Sequence, residues 1–77
     1  MTDLEKVKDD GMNLGFVDNQ TPEICLEAVR QDGDALQFVE NQTPEIVVEA
    51  LKNNSNAIKF VDNSMVEMFI ASLTEKE

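Results

Sequence analysis

Apolar positions recur along the chain with the spacing of short α-helices. Within 22–31, four apolar side chains share one face of a helix. They are Ile24, Cys25, Ala28 and Val29. Thr21 precedes this segment as an N-cap, and a proline and a glutamate follow it, as is typical of a helix start. The same pattern returns in 44–53. A shorter apolar set, which predicts a second short helix, comprises Ala35, Leu36, Phe38 and Val39.

The chain repeats itself with a period of 22 residues. Residues 16–37 read FVDNQTPEICLEAVRQDGDALQ, and residues 38–59 read FVENQTPEIVVEALKNNSNAIK. These two segments align without a gap, and half of their positions are identical. Part of the pattern extends to both sides. We therefore predict a single helical-repeat domain over 1–77, with partial first and last units, divided at about 1–15, 16–37, 38–59 and 60–77.

The predicted fold is all-α and α-solenoid-like, with six or seven short helices in stacked pairs. Helices of about ten residues are marginal alone, so each unit must bury its apolar face on the next. Gly33, like Gly11, is predicted to end the first helix of its unit in a left-handed conformation, which Asn54 takes over in the third unit. Two capping boxes are predicted, Thr2 with Glu5 and Ser64 with Glu67.

The stretch NQTPEICLEAVRQDGDALQFVENQTPEI, residues 19–46, resembles the short helical repeats grouped as domain of unknown function 4116. Such repeats typically read Thr-Pro-Glu-Ile-Cys-Leu-Glu-Ala-Val, then a short turn, then Ala-Leu and an aromatic residue. The resemblance is specific over Phe16–Lys59, partial in 1–15, and weaker in Ser64–Leu73, where Thr-Pro is lost. It implies a helical repeat fold, and it implies no reaction, cofactor or binding residue.

The charge of the chain excludes several kinds of partner. Sixteen Asp and Glu stand against six Lys and Arg, which gives a net charge of −10. Direct nucleic-acid binding needs the opposite sign, and docking on anionic membranes is disfavoured for the same reason. No apolar run approaches the roughly 20 residues of a membrane-spanning helix, and no secretory signal follows Met1. With one cysteine, the chain is expected in the cytoplasm, or in the host cytoplasm if a virus or phage encodes it.

No set of residues predicts catalysis, a cofactor or a metal site. Cys25 has no histidine to activate it, and Val47 fills its position in the next unit, so an apolar role is favoured. No two carboxylates stand out as an acid and a base. Asp9–Gly11 and Asp32–Asp34 place carboxylates beside a glycine, but their spacing does not match a calcium-binding loop. Turns at helix ends explain both segments better.

Two surfaces are candidates for binding a partner. The first is a ladder of one carboxylate per unit at the end of each second helix: Asp18, Glu40 and Asp62. This ladder is either a hydrophilic turn that stays solvated or an acidic ridge that faces a basic partner. The second is the last helix, where the candidate residues are Met65, Met68 and Phe69. That helix either closes the end of the stack or binds another protein or a second copy.

These observations favour a non-enzymatic protein that binds another protein, since stacked repeats form extended recognition surfaces. One alternative is an acidic mimic of nucleic acid, of phage or mobile-element type, that blocks the basic groove of a nucleic-acid-binding enzyme during anti-defence or host takeover. Another alternative is a structural module that forms a homodimer through its last helix. Neither direct nucleic-acid binding nor membrane binding is expected.

Overall fold

The computed structural model describes residues 2–62, 65 and 67. In this part of the chain six helices of two types alternate, and no residue is in a β-strand. The α-helices are α1 (Asp3–Asp9), α2 (Pro22–Gln31) and α3 (Pro44–Asn53). The 3₁₀-helices are η1 (Gly11–Phe16), η2 (Gly33–Phe38) and η3 (Ser55–Phe60). The all-α prediction is confirmed. The single domain over 1–77 extends beyond the described residues and stays a prediction.

Each α-helix begins after a threonine that caps it. Thr21 and Thr43 each accept, through Oγ1, the backbone N–H three residues further on, at 3.2 and 3.3 Å. Each such bond satisfies one of the free N–H groups of a helix start. Helix α1 begins one turn later in the repeat, and there the capping box of Thr2 and Glu5 is present as predicted. The box predicted at Ser64 lies outside the described residues.

The turn between the two helices of a unit differs from the predicted one. Asp32 ends α2 in an extended conformation, with φ −152° and ψ 110°, and its carboxylate accepts the N–H two residues on, at 3.0 Å. Asn54 does the same after α3, also at 3.0 Å. Within the described ranges no residue has a positive φ. The left-handed conformation predicted for Gly33, Gly11 and Asn54 was therefore wrong, because an extended polar residue ends one helix and caps the next.

Glycine is required in this turn for a different reason, the close approach of the next unit. A β-carbon on Gly33 would lie 2.5 Å from the carbonyl oxygen of Ala50, and one on Gly11 would collide with the carbonyl oxygen of Ala28. Real β-carbons do not come so close to an oxygen, so a side chain at either position would force the units apart. In the third unit Ser55 takes this place and is exposed.

The second helix of each unit is a 3₁₀-helix of six residues. Leu36 lies within η2, and Val39, three residues further on, is its C-cap. Their side chains are 0 and 8 % exposed. Residues i and i+3 lie in line in 3₁₀ geometry, so both side chains enter the core together. Leu14 of η1 and its C-cap Val17 repeat this arrangement. The apolar spacing of this segment thus suits a 3₁₀-helix as well as an α-helix.

The helices form two layers with a continuous core between them. The α-helices of consecutive units pack side by side, and so do the 3₁₀-helices. The buried apolar residues of the core are Val7, Leu14, Val17, Cys25, Ala28, Val29, Ala35, Leu36, Val39, Ile46, Val47, Ala50, Ala57, Val61 and Met65. Among the described residues no polar or charged side chain is buried. The predicted stacking of short helix pairs is confirmed.

A glutamine joins each full unit to the next one, and the sequence analysis missed it. Gln20 Nε2 donates to the carbonyl oxygen of Phe38 at 2.7 Å, while its Oε1 accepts the N–H of Glu40 at 3.0 Å. Gln42 makes the same pair of bonds one unit later, at 2.8 and 2.9 Å. We call Gln20 and Gln42 the glutamine clamps. Each clamp fixes the end of the following 3₁₀-helix and the turn beyond it.

A second set of polar contacts joins α2 to α3 at the other end of these helices. Asn53 Oδ1 accepts the N–H of Gly33 at 2.7 Å, and its Nδ2 donates to the carbonyl oxygen of Arg30 at 2.9 Å. Arg30 Nε also lies 3.5 Å from a carboxylate oxygen of Glu49. This ion pair is partly exposed and contributes little, so the amide of Asn53 is the main polar contact here.

Replacing Gly33 by alanine tests the close approach of α3. We expect Gly33→Ala to lower the free energy of unfolding by about 1–3 kcal/mol, because the new methyl group overpacks the contact with Ala50. Urea denaturation measures this change. Ser55→Ala is the matched control at the same place in the third unit, with an expected change within about 0.5 kcal/mol. Equal stability of Gly33→Ala and the unmodified protein would contradict the close approach.

Removing a glutamine clamp tests its part in stacking. Gln20→Ala deletes two hydrogen bonds to the next unit, so we expect a loss of about 1–2 kcal/mol in the free energy of unfolding. Gln37→Ala is the control, because that exposed amide donates only to Asp34 O of its own helix, at 3.1 Å. Its expected change is within about 0.5 kcal/mol, measured by urea denaturation. Similar losses in both variants would mean that the clamp does not hold the units together.

Candidate partner-binding edge

Six carboxylates gather along one edge of the stack, which we call the acidic edge. Three follow the 3₁₀-helices and form the ladder predicted from the sequence. Two lie in the first turns of α2 and α3, and one is at the equivalent position of the last unit. The six residues are Asp18, Glu23, Glu40, Glu45, Asp62 and Glu67, and all are exposed. Thr21 and Thr43, which cap the starts of α2 and α3, line one cavity. Asn53 at the end of α3 donates to the carbonyl oxygen of Arg30 near the end of α2. The two helices therefore run in the same direction, and their starts share this edge.

Basic residues gather elsewhere on the α-helices. Those in the last turns of the three α-helices are Lys6, Lys8, Arg30 and Lys52. The segments 17–29 and 39–51, which contain the starts of α2 and α3, have no Lys or Arg. Glu23 and Glu45 suit the positive end of a helix dipole, which explains part of this separation. The edge therefore carries negative charge without a cation in the same segments.

The glutamine clamps determine where the ladder carboxylates stand. Gln20 and Gln42 accept the backbone N–H groups of Glu40 and Asp62, so each of these two residues has the same place relative to the unit before it. Asp18 follows η1, and the described residues include no glutamine from an earlier unit to hold its backbone. Two of the three ladder residues thus belong to the interface between units as well as to the surface.

A small cavity opens on the acidic edge between the starts of α2 and α3. Its volume is about 130 Å³. Polar residues surround its mouth: Gln20, Thr21, Glu40, Asn41 and Thr43. Its apolar wall is made by Pro22, Cys25 and Ile46. Cys25 and Ile46 are 4 and 2 % exposed, so the cavity reaches from the charged surface to the core. The sequence does not predict this cavity, because the cavity depends on the gap between two helices.

Cys25 lies at the base of this cavity as a protonated, apolar side chain. Its Sγ donates to Gln20 Oε1 at 3.5 Å. Burial raises the pKa of the Cys25 thiol, and the nearby carboxylate of Glu40 raises it further. Both effects disfavour the thiolate, which is the reactive form of cysteine. The arrangement agrees with the apolar role that the sequence favours at this position.

The second predicted surface is only partly described. Met65 is 6 % exposed and belongs to the core, so it presents no surface to a partner. Met68 and Phe69 lie outside the described residues.

An exposed aromatic residue that the sequence analysis missed is Phe16, which is 81 % exposed. Its counterpart Phe38 is half-buried, and the ring of Phe38 lies against Gly15 of η1. Ile58 is likewise 54 % exposed, although its counterpart Leu36 is fully buried. These two residues stand at the two ends of the described stack. Phe16 lies in η1 and Ile58 in η3, which are the first and last 3₁₀-helices among the described residues, and each packs on η2.

Within the part of the chain that the structure describes, no helix is long and apolar enough to span a membrane. The same residues include no group of three or more Asp, Glu, Cys or His side chains placed to hold a metal ion. The carboxylates of Asp10 and Asp32, which stand beside a glycine, instead cap η1 and η2.

Titration of Cys25 should make the free energy of unfolding depend on pH. Its pKa is higher in the folded protein than the value of about 8.5 expected in the unfolded chain. Above that value the unfolded chain loses the proton first, so the free energy of unfolding should fall as pH rises. Cys25→Val, which copies Val47, should lack this component. Urea denaturation at a series of pH values measures the difference, and parallel curves for the two proteins would contradict it.

Comparison with known proteins identifies the family. The sequence profile described as Domain of unknown function (DUF4116) matches residues 4–43 and also residues 22–66. The two matches share residues 22–43, as expected when units of one kind follow each other. No curated protein and no solved structure matches the chain. Because the profile covers most of the sequence, this chain belongs to the DUF4116 family.

Proposed function

We propose that this chain is a non-enzymatic binding protein whose acidic edge docks on a basic surface of another protein. The observation that carries the proposal is the acidic edge itself, with six exposed carboxylates and no cation in the segments that hold the starts of α2 and α3. Such a surface attracts a partner of opposite charge and disfavours partners of like charge. Complementary charge therefore raises the association rate and the selectivity of binding.

The rigidity of the edge supports this proposal. Glu40 and Asp62 are held through their backbones by the glutamine clamps, and α2 and α3 are capped by Thr21 and Thr43. A surface that is already ordered loses less conformational entropy when it binds.

The absence of a reaction is also part of the proposal. A nucleophile needs a base or a lowered pKa, whereas the pKa of Cys25 is raised by its burial and by Glu40. The cavity beside it, of about 130 Å³, is smaller than the roughly 300–1,000 Å³ of typical small-molecule sites. Both observations favour binding over catalysis. The cytoplasmic location stays a prediction from the single cysteine.

A mimic of nucleic acid is the second candidate, and the regular repeat of the edge favours it. Neighbouring packed helices are about 8–10 Å apart, so two carboxylates per unit give one charge per about 4–5 Å. One strand of DNA carries one charge per about 3.4 Å of helix axis, which is a similar density. Competition between this chain and a duplex oligonucleotide for one basic protein separates the two candidates. Self-association through Met68 and Phe69 stays a prediction.

Neutralising the ladder tests whether the edge binds basic partners. The triple variant Asp18→Asn, Glu40→Gln and Asp62→Asn should bind a fluorescent peptide with arginine at every third position about tenfold more weakly. This loss corresponds to about 0.5 kcal/mol for each exposed ion pair. Fluorescence anisotropy measures the affinity. Binding by the unmodified protein should also weaken between about 50 and about 300 mM salt, because the Debye length shortens.

The control for this experiment removes three carboxylates outside the edge. Asp9→Asn, Glu27→Gln and Asp34→Asn give a protein of the same net charge as the ladder variant. We expect its affinity for the peptide to change less than threefold. Equal losses in the two triple variants would show that binding follows net charge alone, which would overturn the proposed role of the edge.

A further inference from the structure

The cavity on the acidic edge has a size that suits one side chain. Its volume of about 130 Å³ is well above the roughly 10–15 Å³ that a single water molecule requires. It is below the volume of sites that hold metabolites of ordinary size. A long, narrow group attached to a larger partner is therefore a better occupant than a free small molecule.

The lining of the cavity specifies the chemistry of that group. Buried Ile46, with Pro22, makes an apolar wall, while Glu40 and Asn41 stand exposed at the mouth. No lysine or arginine lines the cavity, so the charge of Glu40 is not neutralised from within it. An occupant with an apolar stem and a positive end matches both parts. Lysine and arginine side chains have this form, with methylene groups that pack on apolar surface and a charged head that stays near water.

We infer that the cavity receives one lysine or arginine side chain of the basic partner, an inference that rests on the proposed function. The methylene stem lies against Pro22 and Ile46, and the cation reaches the carboxylate of Glu40 at the mouth. This contact adds apolar burial to an ion pair that is otherwise exposed. It therefore anchors the partner at one point of the edge, between the second and third units.

The spacing of the units also specifies the partner's sequence. Adjacent α-helices are about 8–10 Å apart, and an extended chain advances about 3.3–3.6 Å per residue. Basic residues at about every third position of an extended segment would therefore meet the carboxylates of successive units. The partner is a basic segment of this kind, with one of its side chains seated in the cavity.

The other interfaces between units do not offer the same lining. Helix α1 begins at Asp3, one turn later in the repeat than α2 and α3, and no Thr-Pro precedes α1. The interface between α1 and α2 therefore lacks the threonine and proline that line the cavity. At the third interface Val47 stands in place of Cys25, and Met65 in place of Thr43. These larger apolar residues replace the thiol at the base and a polar group at the mouth. The anchoring point is thus specific to the interface between α2 and α3.

The experiment compares one substitution at equivalent positions of two units. Asn41→Leu places an apolar branch at the mouth of the cavity, whereas Asn19→Leu makes the same change one unit earlier, outside the cavity. With the arginine peptide described above, we expect about tenfold weaker binding for Asn41→Leu and less than twofold change for Asn19→Leu. Both asparagines are exposed, and urea denaturation verifies that both variants are folded.

A second pair of variants tests the charge at the mouth. Glu40→Gln and Asp18→Asn each remove one carboxylate of the ladder, but only Glu40 lines the cavity. Glu40→Gln should weaken binding at least threefold more than Asp18→Asn. Equal effects within both pairs, with the triple ladder variant still impaired, would overturn the cavity inference and leave the proposed function standing. If the triple variant binds the peptide as well as the unmodified protein does, the proposed function itself fails.

Discussion

The closeness of consecutive units is the constraint on which the rest of the structure depends. At Gly33 the backbone comes so near the carbonyl oxygen of Ala50 that no side chain fits between them. Helices of seven to ten residues gain too little from their own hydrogen bonds to persist alone. Only dense stacking buries enough apolar surface to hold them. Asp32, which is extended, and the 3₁₀-helix that follows it place Gly33 at this contact.

Much of the fold could be predicted, because the features concerned are local. The Thr-Pro-Glu starts and the apolar stripe define α2 and α3, and the period of 22 residues carries them through the chain. The second helices were harder to predict. Leu36 and Val39 are spaced for either helix type, so their spacing does not distinguish a 3₁₀-helix from an α-helix. Gly33 was misjudged because glycine serves both left-handed turns and close contacts, and only the neighbouring unit distinguishes them.

The candidate site shows the same division between local and non-local information. The ladder follows from the repeat, whereas the cavity and the glutamine clamps depend on groups 18 to 20 residues away. A glutamine in a turn has no local signature, although its return at Gln42 was a visible signal. Gln20 also accepts a hydrogen bond from Cys25 at the base of the cavity. One side chain thus links the stacking of units, the position of Glu40 and the shape of the cavity.

The reach of the bonds between units has a consequence for how the chain folds. The side-chain bonds that join consecutive units span 18 to 23 residues. Closing loops of that length costs little more entropy than closing shorter ones, since the cost grows with the logarithm of loop length. In the described residues the helices of each unit pack on those of the neighbouring units, so the chain does not have to bring its two ends together before contacts form. Folding can begin at the interface between α2 and α3 and spread one unit at a time in both directions.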